Sequence, residues 1–333
     1  MIWVSLSGVE LMRIVHVNFD YGELGVGGAS IAAGRIHKGL LTQGADSIFL
    51  CSFKRGDGDQ VHEVPKCKVF RSLFLFTVRV LRNIPRLVGY KYAVAVNIVP
   101  SGMECEINRL SPDIVMIHWV SADTIALSEI CKIKAPVVIV LHDLWFLLGT
   151  AAYPGQDKRY ITGFSYKNSR LLDWWLWRRK KKISEQRSIC FVAPSKWAES
   201  VARSSVVGAG QRCLSIPYPL DTTLFKFDPM KIKEHDKFTI LFGCNGGRRN
   251  PYKGFDVLNL ALQHVPIDIA KKMRLIVFGE QSAPYIMNGV DVEFLGKISK
   301  TCKLVDAYLS ADMFAFPSIE ETMGQTKIEA MAC

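Results

Sequence analysis

The sequence predicts an α/β fold made of two units, each a mostly parallel sheet layered with helices and the two facing each other across a cleft. Three observations predict it. Short β-branched apolar runs alternate with longer helical patterns, which is the signature of parallel α/β layers. A proline-bearing stretch, Ile216–Leu220 (IPYPL), interrupts that alternation, which then starts again. The chain has 333 residues, and at roughly 150 residues per domain that length gives about two domains, each able to bury its own core.

Each element follows from its local pattern. Met12–Asn18 (MRIVHVN) reads as the first strand, Gly25, Gly27 and Gly28 as a loop, and Ala29 to Gln43 as a helix. Residues 1–11 precede that pattern without a basic start or a sustained apolar core, so they read as an extension outside the fold and not as a signal peptide. Ser47–Cys51, Asp113–Trp119 (DIVMIHW), Pro136–His142 (PVVIVLH) and Cys190–Pro194 (CFVAP) are the further strands of the first half. Several end in polar residues at the carboxyl edge, where open α/β sheets place their ligands. Ser195 is expected to cap the helix that follows. In the second half Phe238–Gly243 (FTILFG), Arg274–Gly279 (RLIVFG), Asp291–Leu295 (DVEFL) and Asp312–Pro317 (DMFAFP) are strands. The alternation stops at Cys333 with no further strand, so the second unit is expected to be incomplete.

Composition narrows the class. Hydrophobic residues at 49% and charged residues at 22% exclude a disordered or collagen-like chain. With 42 Lys and Arg against 31 Asp and Glu, the net charge of +11 favours anionic partners. Nine cysteines stand singly, without Cys-x-x-Cys or histidines at metal spacing, and read as reduced thiols of a cytoplasmic protein. No window offers about 18 uncharged apolar residues, so no transmembrane span is expected.

Three constellations can carry chemistry. Gly25-Val26-Gly27-Gly28-Ala29-Ser30 puts glycines at a helix start, where backbone N–H groups attract anions. Its spacing is not that of a dinucleotide fingerprint, and a plain turn remains the competing reading. Gly246 to Asp256 (GGRRNPYKGFD) sets cations about five residues apart on a glycine-punctuated loop entering a helix, an arrangement able to bracket a diphosphate. A solvated basic turn is the alternative there. Pro317 to Cys333 carries Glu321 before a helix and Glu329 on it, two carboxylates able to grip hydroxyls of one polyol ligand. Capping or solvation would also account for them.

The order strand, GGAS loop, helix, LHD at a strand end, SKWAES, IPYPLDTTLF, KGFD, FLG and PS-x-x-E-x7-E-AMAC resembles the retaining glycosyltransferases of family 4, which have the GT-B fold. The resemblance runs in register from about Met12 to Cys333 and is most specific from Glu321 to Glu329. It implies a Rossmann-like acceptor-side domain over 12–216 and a nucleotide-sugar donor domain over 217–333, truncated at its end. It implies transfer of a hexose from a nucleotide diphosphate sugar to a glycan or lipid-linked acceptor with retention, in bacterial surface polysaccharide or lipopolysaccharide synthesis.

By that likeness Arg248 and Lys253 hold the diphosphate, with Arg249 able to replace Arg248, and Glu329 binds the ribose. Glu321 and the amides of Met323, Gly324 and Gln325 address the hexose. His142 lines the sugar site near the reacting carbon, and Gly27 and Gly28 lie under the donor. His142 and Glu321 are thus the expected catalytic residues. No cofactor or essential metal is expected: Asp57-Gly58-Asp59 has the Asp-x-Asp spacing of the other glycosyltransferase fold but sits in a glycine-rich polar turn.

His118 and Trp119 end a strand beside the expected cleft, while His16, His37, His62, His235 and His264 form no cluster in the sequence. Asp143 is expected to cap the segment after it. Two stretches, Arg71 to Gly89 and Arg170 to Arg187, join basic residues to apolar ones, the second with Trp174, Trp175 and Trp177, and suggest peripheral contact with an anionic membrane at the inner face of the plasma membrane. A nucleotide-sugar epimerase of the same architecture and an inactive transferase fragment are the competing readings. A nucleic-acid binder fits less well, because no nucleic-acid module is present and the aromatics lie mostly in apolar runs.

Overall fold

The computed structural model describes residues 11–22, 27–64, 95–120, 123–231, 236–243 and 246–333. The basic stretch 71–89 and all of the leading segment 1–11 except Leu11 therefore lie outside the described residues. The chain divides into two compact units, one of Met1–Gly22 and Ala33–Pro217, the other of Glu23–Ala32 and Tyr218–Cys333.

The first unit is a seven-stranded sheet. Its strands are β1 (Arg13–Tyr21), β2 (Asp46–Lys54), β3 (Val61–Glu63), β4 (Ile114–Ile117), β5 (Val137–Val140), β6 (Ile189–Ala193) and β7 (Arg212–Ser215). They lie in the order β3-β2-β1-β4-β5-β6-β7 and every pair is parallel. That is a doubly wound sheet whose strand order reverses between β1 and β4, the place where such sheets leave a crevice. Strands covered on both faces need continuous apolar runs. β2 meets that need from Ile48 to Cys51, whereas β1 buries the polar His16, Asn18 and Asp20 among its apolar residues. Helix α1 (Gly28–Thr42) links β1 to β2, and α2 (Met103–Arg109), α3 (Leu171–Gln186) and α4 (Lys196–Ser204) follow. The Ser195 hydroxyl accepts from the Ala198 amide at 3.3 Å and so caps α4. One apolar core runs through this sheet from Val15 to Cys213.

The second unit holds five strands, β8 (Phe238–Gly243), β9 (Met273–Phe278), β10 (Tyr285–Met287), β11 (Val290–Gly296) and β12 (Met313–Phe314), ordered β10-β11-β9-β8-β12. All pair in parallel except β10 with β11. Helices α5 (Phe255–Gln263), α6 (Thr301–Leu309) and α7 (Gln325–Ala332) complete it. Alternate residues of β8 feed two cores: Ile240 and Phe242 pack with Leu258 and Leu262, whereas Leu241 packs with Ile276 and Tyr308.

The two-unit α/β expectation holds. Several boundaries differ. The strand expected over Asp312–Pro317 is confined to Met313–Phe314, and β3, β7 and β10 are strands the sequence pattern did not indicate. β10 and β11 form a hairpin through Asn288 and Gly289, both at positive φ, 48° and 85°, the pairing that an Asn-Gly turn favours. The turn expected at Asp57 to Asp59 packs on the Tyr21 ring, and the Asp59 carbonyl accepts from His37 Nε2 at 2.8 Å.

Candidate functional site

In the second unit the site is built on the loop after β8 and the segment before α7. Gly246 and Gly247 take positive φ, and a Cβ on Gly247 would stand 2.4 Å from the Cβ of Glu280. Glycine at 247 therefore lets the loop close on the end of β9. There the Arg248 amide donates to Glu280 Oε2 at 2.9 Å and its Nη2 to Oε1 at 3.0 Å. The guanidinium also lies 4.6 Å from the centroid of the Phe294 ring. This forked, charge-assisted pairing raises the Arg248 pKa and fixes the group. Arg248, expected on a diphosphate, is thus committed to Glu280, a partner that sequence reasoning did not identify.

Two short turns, Gly247–Arg249 and Pro251–Lys253, carry the chain to α5, the second capped by the Asn250 side chain. Gly254 sits at φ 68°, and a Cβ there would meet the Pro317 carbonyl oxygen at 2.0 Å. The Ile319 amide donates to the Tyr252 carbonyl at 2.9 Å. These contacts lay the Pro317 segment against the Lys253 turn, and Lys253 Nζ donates to Glu321 Oε2. Two of the expected site residues are therefore in direct contact, although 68 positions apart in sequence.

Glu329 lies on α7, 2% exposed, and accepts from the Tyr308 hydroxyl at 2.9 Å through Oε2. Met323 and Gly324 precede the helix, which Gln325 opens. Gly324 is at φ 84°, and a Cβ on it would be 2.4 Å from Phe316, so glycine is required where the chain turns into α7.

In the first unit His142 follows β5 and is buried. Its Nε2 is 2.8 Å from His118 Nδ1, and His118 Nε2 is 2.9 Å from His16 Nδ1. The expectation that His16 and His37 belong to no cluster is corrected: His16, on β1, ends a row of three imidazoles, and the His37 ring meets its face edge-on at 5.5 Å. The row forms because β1, β4 and β5 are neighbours in the sheet, a fact of topology absent from local sequence. Burial pushes His16 and His142 down to about 3, and His118 well below the ordinary value. Asp143 accepts from the Trp145 amide at 3.0 Å, as expected of a cap. Gly27 and Gly28 stand at the start of α1, where the Ser30 and Ile31 amides donate to the Gly27 carbonyl at 3.1 Å.

The first unit also contains a cavity of about 620 Å³ between Leu148 and Asp173, lined by Tyr153, Arg159, Lys167, Asn168 and Arg170 among others. Beside it, α3 carries the basic run. Of its tryptophans, Trp177 is buried, and Trp174 and Trp175 are half-buried and packed against the core. Lys180 is buried as well, its ammonium donating to the Trp145 and Gly149 carbonyls at 2.5 and 2.7 Å. Arg178, Arg179 and Lys182 are the exposed cations of the run. Among the described residues no helix is long and apolar enough to cross a membrane.

Comparison with known proteins gives the fold its class. Residues 228–333 match the family described as glycosyl transferases group 1. The chain shares its α/β fold with GT-B glycosyltransferases of known structure. The Anabaena protein HepE, solved in complex with UDP-glucose, superposes with a TM-score of 0.56 at 17% identity, over 97% of this chain and 78% of that one. The pneumococcal O-GlcNAc transferase GtfA, solved with UDP and GlcNAc, gives 0.59 at 9% identity over 97% and 83%. WaaG, a glycosyltransferase involved in lipopolysaccharide biosynthesis, gives 0.54 at 14% identity over 96% and 78%. No curated protein matches the chain.

Proposed function

We propose that the protein is a glycosyltransferase that moves a hexose from a nucleotide diphosphate sugar to a lipid-linked or polysaccharide acceptor with retention, in the synthesis of bacterial surface polysaccharide or lipopolysaccharide. The observation that carries this reading is the Lys253–Glu321 contact, made within the stretch that matches the group 1 transferases, which also carries Glu329. The sugars bound by HepE and GtfA and the pathway of WaaG support the substrate class.

In this proposal the bond between C1 of the hexose and the β-phosphate oxygen breaks while the acceptor oxygen attacks C1 from the same face. The acceptor proton passes to a phosphate oxygen of the departing nucleoside diphosphate, so no protein base is needed. Negative charge grows on that leaving group, and a fixed cation stabilises it more than it stabilises the bound donor. Lys253 is that cation. A diphosphate competes with Glu321 for its ammonium and turns the carboxylate toward hexose hydroxyls, which couples donor capture to sugar binding. Glu329, held by Tyr308, takes the ribose, and the amides of Met323 to Gln325 take the hexose. Gly27 and Gly28 admit the donor backbone-close, and His142 is the sugar-facing group of the first unit. Arg248 serves the diphosphate only by leaving Glu280, so it contributes less than Lys253. The charge requirement is met without a metal or cofactor.

The cavity lined by Tyr153 and Asn168 suits a hydroxyl-rich acceptor, and Arg178, Arg179 and Lys182 suit peripheral contact with an anionic membrane on the cytoplasmic side. The test is transfer from a panel of nucleotide sugars, with and without chelator. Nucleoside diphosphate should be released only when acceptor is present, and chelator should leave the rate unchanged. Release of epimerised nucleotide sugar without acceptor would favour an epimerase, and a Lys253→Ala chain with full transfer activity would overturn the assignment.

A further inference from the structure

The three buried imidazoles lie in one row across neighbouring strands. His16 stands on β1, His118 follows β4 and His142 follows β5, and β1, β4 and β5 are adjacent at the reversal of strand order. The ring centroids of His16 and His118 lie 5.2 Å apart with 15° between the ring planes, and those of His118 and His142 5.1 Å apart with 30°. Each contact joins two ring nitrogens, at 2.9 and 2.8 Å, so each can hold only one proton. The rings are 0, 4 and 7% exposed, and burial keeps all three neutral.

Three neutral imidazoles carry three protons. With one proton in each contact, the third sits at one end of the row, either on His16 Nε2 or on His142 Nδ1. The two ends are not equivalent. His16 Nε2 is buried without a hydrogen-bond partner, between a parallel Phe49 ring at 5.9 Å and the edge of His37. An N–H stranded there is costlier than a bare lone pair, because orphaned buried donors are the rarer defect. The proton order is then His16 Nδ1–H to His118 Nε2, and His118 Nδ1–H to His142 Nε2.

We infer that His118 and His16 are positioning residues that fix His142 as the tautomer protonated on Nδ1, so that its outer nitrogen acts as a hydrogen-bond donor and not as a base. Its importance for transfer rests on the assignment of His142 to the sugar site, but the tautomer itself does not. Taking up a proton there would require both inner protons to shift along the row and leave one on His16 Nε2, which has no partner.

Long-range ¹H–¹⁵N NMR of the full chain labelled in histidine reads the tautomers directly. His142 and His118 should both be protonated at Nδ1, with His16 protonated at Nδ1 and bare at Nε2. In His118→Asn or His16→Phe chains the His142 signals should move toward the Nε2-protonated form that predominates in water, while backbone amide signals away from the row stay in place. A His142 protonated at Nε2 in the unaltered chain would overturn the inference, as would a His118→Asn chain whose His142 signals do not change. In transfer assays His118→Asn should lower kcat with KM little changed, and should add nothing in a His142→Ala background. If the tautomers are as stated but His142→Ala transfers sugar normally, the assignment of His142 to the sugar site falls and the tautomer inference stands.

Discussion

His16 and His142 take up no second ring proton in the folded chain until about pH 3, whereas in the unfolded chain they do so below their ordinary value of 6.5. Between those values the unfolded state holds more protons, so stability rises with pH across the window. Their contribution is complete above about pH 6.5 and falls away as the solution is acidified toward about pH 3, by on the order of a few kcal/mol. Urea midpoints taken from about pH 7.5 down to about pH 4 should show the decline, and a His16→Phe chain should show a shallower one. If the proposed function holds, Lys253→Ala, in the loop after β8, should lower kcat/KM roughly a hundredfold, as loss of a fixed group that stabilises a leaving anion does elsewhere. Arg248→Ala should cost less in rate but more in stability, since it leaves the Glu280 carboxylate buried without the guanidinium that now neutralises it. Steady-state kinetics beside denaturant melts would separate the two. Charged residues at 248, 253, 321 and 329 were legible in the sequence as a group. Their pairing was not: nothing local to Arg248 marks Glu280, and nothing local to Glu329 marks Tyr308.

Elements were most legible where hydrophobic periodicity was strong. β8 was read to its end residues, and α4 to its Ser195 cap. Replacing that cap by alanine should cost about 1 kcal/mol, measurable by urea unfolding. β3 (VHE) and β7 (RCLS) escaped because three or four residues at the sheet edges carry too little apolar pattern to register. The β10–β11 hairpin did leave a signal, the Asn288-Gly289 pair, whose positive φ values are those of a tight hairpin turn. The loop into α5 is the element on which the site depends most. Gly254→Ala would place a methyl group against the Pro317 carbonyl in a backbone conformation that side chains avoid. It should destabilise the second unit by about 1–3 kcal/mol and separate Lys253 from Glu321, read as a lower melting temperature together with weaker nucleotide-sugar binding.

For the molecule as a whole, a nucleotide sugar that binds the folded chain should raise its stability by about 2.7 kcal/mol at a hundred times its Kd. A thermal-shift panel would show that rise for the true donor and its loss with Lys253→Ala. Sedimentation with anionic vesicles should fall when Arg178, Arg179 and Lys182 are all replaced by alanine, and should weaken with salt. The tryptophans of that helix should contribute less than the cations, because Trp177 is buried and Trp174 and Trp175 are half-buried against the core. By itself the sequence determined the two-unit α/β fold and the chemical types carried by the loop after β8 and the segment before α7, since apolar period, turn residues and charge are written locally along the chain. Only the tertiary structure decided which charges neutralise each other and that three distant histidines form one hydrogen-bonded row, because strand order and burial set those contacts, and neither is a property of any short stretch of residues.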